Sequence, residues 1–217
     1  MNIIKKQIAY NRSTRTQGVK YIVIHDTGNT GRGANADTHF SYWNSGDKQS
    51  SADFLVDDSK TLQINDYTKY YSWHCGDGSG KHGVSNGNSI GIEICINSDG
   101  NYTKAYQNTV ELVRHLMTTL NIGIDNVVRH YDASRKNCPA TMSGNGWAKW
   151  YEFKNLLTEE AKIMIYNYID KNMPDWARPT IQKLVHKGII QGNENGELEL
   201  EYKDLRLLVI LDRANVF

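Results

Sequence analysis

Two short runs rich in apolar β-formers end on histidine: Tyr21-Ile22-Val23-Ile24 leads into His25, and Val127-Val128-Arg129 leads into His130. A run of β-formers without polar alternation reads as a strand buried on both faces, and a His closing it belongs to the face where such a strand ends. A third residue, Cys138, follows His130 after the polar segment 131–137, which can fold back to bring both side chains together. Two imidazoles and one thiolate make a plausible ligand set for catalytic Zn2+, which commonly keeps its fourth position for water. A single His at a strand end is more often a hydrogen-bonded structural residue, so the weight lies on the combination. His25 precedes His130 by 105 positions, and only the tertiary fold can add it to the set.

The surrounding pattern alternates strands and helices. Residues 20–25 read as a strand, 36–44 as a helix, and 52–56 with 61–65 as a hairpin about the turn Asp57-Asp58-Ser59-Lys60. Residues 76–87 form a Gly-, Ser- and Asn-rich surface loop, followed by a strand over 90–96. On that strand Ile90, Ile92, Ile94 and Ile96 share one face, while Gly91, Glu93 and Cys95 share the other. A lone buried carboxylate costs several kcal/mol, so Glu93 needs a hydrogen-bond, cation or metal-site role. A core helix follows over 105–120, then a strand over 127–130 and a helix over 147–157. The expected fold is therefore α/β, a mixed central β-sheet flanked by helices, with a small, mainly helical C-terminal domain. The expected boundaries are 1–157 for the main domain, 158–173 for a helical linker and 174–217 for the appendage, which is near the lower size limit for independent stability.

Composition narrows the function classes. With 39% hydrophobic and 23% charged residues and a net charge of +1, the chain is neither disordered nor collagen-like. Near-neutral charge removes the simplest case for nucleic-acid binding. No window approaches a membrane span and no signal peptide precedes residue 12, so synthesis in a cytoplasm is expected. Three cysteines, Cys75, Cys95 and Cys138, cannot make a full disulfide framework, and a reduced compartment suits a thiolate ligand. Cys75 and Cys95 read as buried free thiols or neighbours of the site. Lys136, two positions before Cys138, is tethered close to that ligand; its bland alternative is a solvated loop lysine. Hydrolysis at a metal needs a base and an oxyanion partner, and Glu93 and Lys136 are the candidates.

Five segments in order carry a family resemblance: Tyr-Ile-Val-Ile-His-Asp-Thr-Gly-Asn, Ser-Ala-Asp-Phe-Leu-Val-Asp, Ser-Trp-His-Cys-Gly-Asp-Gly, Ile-Gly-Ile-Glu-Ile-Cys and Arg-His-Tyr-Asp-Ala-Ser-Arg-Lys-Asn-Cys-Pro. Residues 1–157 resemble the zinc-dependent N-acetylmuramoyl-L-alanine amidases of the phage-lysozyme and peptidoglycan-recognition-protein superfamily. The resemblance implies hydrolysis of the amide between N-acetylmuramic acid and L-alanine of peptidoglycan. It matches His25, His130 and Cys138 to zinc ligands, Glu93 to the base of the endolysin branch, and Lys136 to the lysine beside the ligand cysteine. Other branches use a tyrosine as base. Trp73 and His74 match a stretch lining the substrate groove, although His74 could equally be a donor to a ligand. His39 and His82 match no ligand position, His115 and His186 read as helix-surface residues, and Phe40, Trp43, Trp147 and Trp150 read as core.

Some relatives of such enzymes recognise peptidoglycan without cutting it, and they typically replace the residue matching Cys138. Retention of all three ligands favours the enzyme. A zinc peptidase acting within the stem peptide stays open on ligands alone. The tail from Asp175 to Asn193 is similar to the short tails of clostridial phage endolysins and, more weakly, to surface-layer-homology repeats, which implies wall attachment. A lone repeat-like unit can also bury its face against a second copy, so a homodimer through 174–217 is a further expectation. A phage endolysin that reaches the wall after release and a bacterial autolysin both fit.

Overall fold

In the computed structural model, which describes residues 2–158 and 165–217, the chain divides into two units at Thr158. The first unit contains β1 (Ile3–Lys5), β2 (Arg12–Thr14), β3 (Tyr21–Asp26), α1 (Ala36–Trp43), β4 (Phe54–Val56), β5 (Thr61–Gln63) and β6 (Tyr70–Ser72). It continues through β7 (Ser89–Ile94), α2 (Tyr102–Leu120), β8 (Val127–Arg129), α3 (His130–Ser134) and α4 (Gly144–Thr158).

Six strands pair in the order β1-β5-β4-β7-β3-β8, and every pairing is parallel except β4 with β5. The expected mixed sheet is thus present, and the expected hairpin is its antiparallel step. β2 and β6 form a separate antiparallel pair. The apolar runs of β3 and β7 are unbroken because both faces are covered. On one face Ile22, Ile24, Ile90, Ile92 and Ile94 pack with Leu112, Val113 and Leu116 of α2 and Trp150 and Phe153 of α4. On the other, Leu55, Leu62 and Cys95 pack with Ala36 and Trp43 of α1, while Val23 meets Cys75, Val84 and Ala133. Each fully buried Ile contributes roughly 1.5–3 kcal/mol relative to exposure, so the central strands are held firmly in register.

Helix α2 starts where Asn101 caps it, its side chain accepting from the Lys104 N–H at 3.1 Å, and ends at Asn121 in the left-handed region with φ 51°. The strand expected over 127–130 stops one residue early. Asp132 accepts from the Arg129 N–H at 2.9 Å and from its guanidinium at 2.6 and 2.9 Å, and this cap turns His130 into the first residue of α3. In α4, Asn145, Gly146 and Trp147 all have positive φ, so regular helix begins only after Trp147. The strand expected over 90–96 runs instead from Ser89 to Ile94.

The second unit contains β9 (Ile165–Tyr166), α5 (Arg178–His186), β10 (Leu200–Glu201) and α6 (Tyr202–Arg213). Tyr166, Met173, Ala177, Ile181, Leu205 and Val209 form its core. The helical linker expected over 158–173 is corrected here. Residues 159–164 of that span lie outside the described residues, and Ile165–Tyr166 pairs antiparallel with Leu200–Glu201. The segment Ile165-Tyr-Asn-Tyr-Ile169 carries β-branched and aromatic side chains that favour a pleated strand over a helix.

Candidate active site and its family

His25 is the penultimate residue of β3, which runs one residue past the expected end to Asp26; its side chain lies on the same face as Val23, and its register partner on β7 is Glu93. His130 opens α3 one residue beyond β8, the strand on the other side of β3. Cys138 returns to both because its carbonyl accepts from the Tyr131 N–H at 3.0 Å, closing the polar loop against the start of α3. One nitrogen from each of His25 and His130 and the Cys138 sulfur lie within 4.8 Å of one another, and all three residues are buried.

The hydrogen bonds around the two rings decide which atoms face inward. His130 Nε2 lies 2.8 Å from Asp77 Oδ1, a carboxylate that can only accept, so Nε2 carries the proton and Nδ1 presents a lone pair. His25 Nε2 lies 3.0 Å from His74 Nδ1, and the two inward atoms, His25 Nδ1 and His130 Nδ1, stand 3.0 Å apart. Cys138 Sγ is 3.9 Å from His25 Nδ1. Donors about 2.0–2.3 Å from one tetrahedral ion stand roughly 3.3–3.6 Å apart, so this constellation fits a single metal ion. Two facing imidazole lone pairs with a thiol beside them are a donor set whose repulsion a cation would relieve.

Burial depresses the imidazole pKa values: His25 falls well below its ordinary value through desolvation and the nearby His74, His130 and Lys136, desolvation lowers His130 against the opposing pull of Asp77, and His74 falls to about 3. Neutral rings are the ligating form. Burial, reinforced by Glu93, pushes the Cys138 thiol up to about 12, so only a bound cation would hold it as thiolate at neutral pH. Glu93 is pushed up to about 8, by burial first and Asp26 second, against the opposing pull of Lys136. Its Oε1 lies 4.0 Å from His25 Nδ1, and its Oε2 is buried without a hydrogen-bond partner. Burial opposes ionisation of Asp77, but hydrogen bonds from His130 and Ser134 outweigh it and lower its pKa.

A cavity of about 290 Å³ holds His25, Glu93, His130, Lys136 and Cys138 in its wall, and a neighbouring one of about 450 Å³ is lined by Gln49, Trp73, Asp77 and Asn86. Trp73, His74, His130 and Lys136 border both. Trp73 is half-buried, its indole N–H donating to Ser13 Oγ at 2.9 Å, and one side of it faces the cavities. His74 is buried at 8% exposure, and its ring nitrogens are engaged by His25 and Ser89. Trp43, expected in the core, is buried there at 7% exposure and also borders the smaller cavity. Cys75 and Cys95 are buried free thiols. His39 is buried in α1 away from the cluster, and His82, His115 and His186 are exposed.

Asp77 and Ser89 were invisible to sequence reasoning. Asp77 sits in a Gly-rich loop where nothing local marks it as a partner of a residue 53 positions away. The loop reaches α3 because Gly78 presses against it: a Cβ there would lie 2.1 Å from the Ala133 carbonyl oxygen.

The N-acetylmuramoyl-L-alanine amidase family matches residues 14–141, which carry all five of these cavity residues. The chain belongs to this family. Among its relatives, the amidase CwlH of Bacillus subtilis is 38% identical over 145 residues, covering 67% of this chain and 55% of CwlH. The amidase XlyA of the same species is 39% identical over 157 residues, covering 71% of this chain and 50% of XlyA. The chain therefore spans about half the length of these curated relatives. The solved catalytic domain of XlyA superposes with a TM-score of 0.64 at 37% identity, covering 72% of this chain and 99% of that domain. A mutant endolysin from Bacillus subtilis gives 0.65 at 40% identity, covering 72% and 98%. A separate match, to the S-layer homology domain, covers residues 169–199 in the second unit. Among the described residues no helix is long and apolar enough to cross a membrane.

Proposed function

We propose that this amidase-family chain hydrolyses the amide bond between N-acetylmuramic acid and L-alanine in peptidoglycan, using zinc held by His25, His130 and Cys138. The observation that carries this reading is the buried convergence of two imidazole nitrogens and one thiol beside a carboxylate oxygen that has no partner of its own. A set of two nitrogens and one sulfur suits zinc, and three protein ligands leave one position for chemistry. Zinc bound there would supply Lewis-acid polarisation of the scissile carbonyl and acidification of water.

Glu93 is the proton acceptor in this mechanism. Its carboxyl stands beside the proposed ligand nitrogens in the cavity wall, and a cation next to it would bring its raised pKa down towards working pH. The same group returns the proton to the leaving amine of L-alanine. Lys136, exposed at the border of both cavities, supplies positive charge to the oxyanion that forms at the carbonyl. Trp73 offers an apolar wall for the sugar or the stem peptide in the larger cavity.

The unit up to residue 157 is the catalytic domain in this reading, with residues 158–173 as connection and 174–217 as wall-attachment unit. The S-layer homology match supports the last role, as does the exposure of Trp176, Tyr202, Leu207 and Ile210. The same apolar side chains would serve self-association into a homodimer. The biological setting is wall lysis as an endolysin or autolysin, which the solved endolysin relative supports.

Mass spectrometry of purified peptidoglycan after digestion tests the reaction. Free stem peptides beginning with L-alanine beside intact glycan strands are the expected products. Retention on the wall without new ends would establish a recognition module instead, and cuts between stem-peptide residues would establish a peptidase.

A further inference from the structure

The inward aim of His25 depends on a proton located two residues away in space. Ser89 Oγ lies 2.5 Å from the Ser85 carbonyl oxygen, which can only accept, so the hydroxyl proton is committed there. Cys75 Sγ, 3.8 Å from the same hydroxyl, is too weak a partner to compete. The Ser89 oxygen is left as an acceptor, and the group facing it at 3.0 Å is His74 Nε2. That nitrogen must carry the proton, which makes His74 Nδ1 the acceptor of its ring. His74 Nδ1 in turn faces His25 Nε2 at 3.0 Å, so His25 is protonated on Nε2 and its lone pair is on Nδ1. Reversing any one link would place two protons or two lone pairs in a buried contact of the relay, and the one facing pair of lone pairs that the assignment leaves, His25 Nδ1 and His130 Nδ1, is the pair a cation would bridge.

We propose that Ser89, acting through His74, is a positioning residue that sets the tautomer of His25 and so aims its Nδ1 lone pair at the metal position. The proposal rests on the metal-site reading above. Two features of β7 serve the relay. Ser89 and Gly91 lie on one face of the strand, and Gly91 leaves the space that the His74 ring fills, since a Cβ there would stand 2.5 Å from His74 Cγ. Ser89 is itself fully buried, so water does not replace its hydroxyl as the acceptor. Asp77 does the equivalent work for His130 with a charged acceptor, whereas the His25 side uses a neutral chain of three groups.

The full chain labelled with nitrogen-15 at histidine, freed of metal by chelation, gives the first test through long-range proton–nitrogen correlations. Wild type should show His25 and His74 each protonated on Nε2, and Ser89→Ala should show a mixed or reversed His25 tautomer. Zinc affinity, measured by chelator competition, should fall about 10–100-fold in Ser89→Ala and recover in Ser89→Thr. His74→Asn places an amide oxygen where Nδ1 stands, so it should keep the His25 tautomer, and adding Ser89→Ala to it should change zinc affinity no further. An unchanged tautomer with affinity within twofold of wild type in Ser89→Ala would overturn the relay. If Ser89→Ala does not fold, the wild-type tautomers decide: a proton on Nδ1 of His25 or His74 overturns the relay, and Nε2 protonation of both supports it. A wild-type chain that binds no zinc would sink the metal reading instead, while the tautomers of the metal-free protein still judge the relay.

Discussion

His25 and Glu93 are register partners on adjacent parallel strands, and the imidazole Nδ1 lies 4.0 Å from the carboxylate Oε1. Backbone pairing sets this relationship, because a slip of one residue in β7 would send Glu93 into the apolar face among Ile90, Ile92 and Ile94. The acid is thereby held beside the cluster of His25, His130 and Cys138 at a substantial desolvation cost.

Glu93→Gln preserves shape and removes the proposed base. Wall-lytic activity should fall by about 100- to 10,000-fold, the range for loss of a positioned general base. Zinc content measured on the same preparation should stay at the wild-type level, and a fully lytic variant would remove Glu93 from the mechanism.

The raised pKa of Glu93 gives the metal-free protein a defined pH signature. Its carboxyl titrates at about 8 when folded and near the ordinary 4.5 when unfolded. Between those values the folded protein holds a proton that the unfolded chain has released, so this group's contribution to stability falls as pH rises. His25 and His74, with depressed pKa values, act in the opposite sense below pH 6.5, but they remain in both proteins. Urea unfolding of chelated protein should show Glu93→Gln gaining on wild type from pH 4.5 to 8 and levelling off above; a constant difference would contradict the buried, unpaired assignment.

Asp77 holds the proton of His130 from a position whose side chain is 46% exposed. Asp77→Ala should therefore cost little folding stability while weakening zinc binding by about 10–100-fold, as expected for loss of a carboxylate behind a ligating histidine. Calorimetry with zinc against thermal melting of the chelated protein separates the two effects. Equal zinc affinity would show that the contact is incidental.

Gly91→Ala drives a methyl group into the ring of His74, at 2.5 Å from Cγ. The ring can move aside only by giving up its contacts with His25 and Ser89, so a loss of about 1–3 kcal/mol is expected from overpacking. Zinc affinity should drop with it, because His74 would move off His25. Wild-type melting and zinc binding together would show that β7 can shift to make room.

Cys138→Ser replaces the proposed soft ligand with a hydroxyl. Elemental analysis after gel filtration should show zinc well below one equivalent, with lytic activity lost in parallel. Stoichiometric zinc in this variant would argue against the thiolate as a ligand.

Much of the first unit was legible along the chain because the signals are local. Apolar runs marked β3 and β7, helical spacing marked α2, and the lone acid on an apolar strand marked Glu93. The family motifs implied a ligand set and a substrate class, neither of which spacing alone could provide. The misreadings lie where short-range patterns compete. His130 reads as strand until Asp132 caps the next turn as helix, and Ile165–Tyr166 reads as helix until Leu200–Glu201 offers it a partner strand.

By itself, the amino-acid sequence determined which residue types end the buried strands, the alternation of Glu93 with isoleucines, and the short tether from His130 to Cys138. These follow from periodicity and chain connectivity, which act over a few residues. Only the tertiary structure brings His25 against His130, sets Asp77 and His74 at the outer nitrogens, and carries the chain of hydrogen bonds through Ser89 to the Ser85 carbonyl. Directional contacts of about 3 Å between residues far apart in sequence depend on strand order and on the glycines that let loop and strand approach, and no local pattern encodes them.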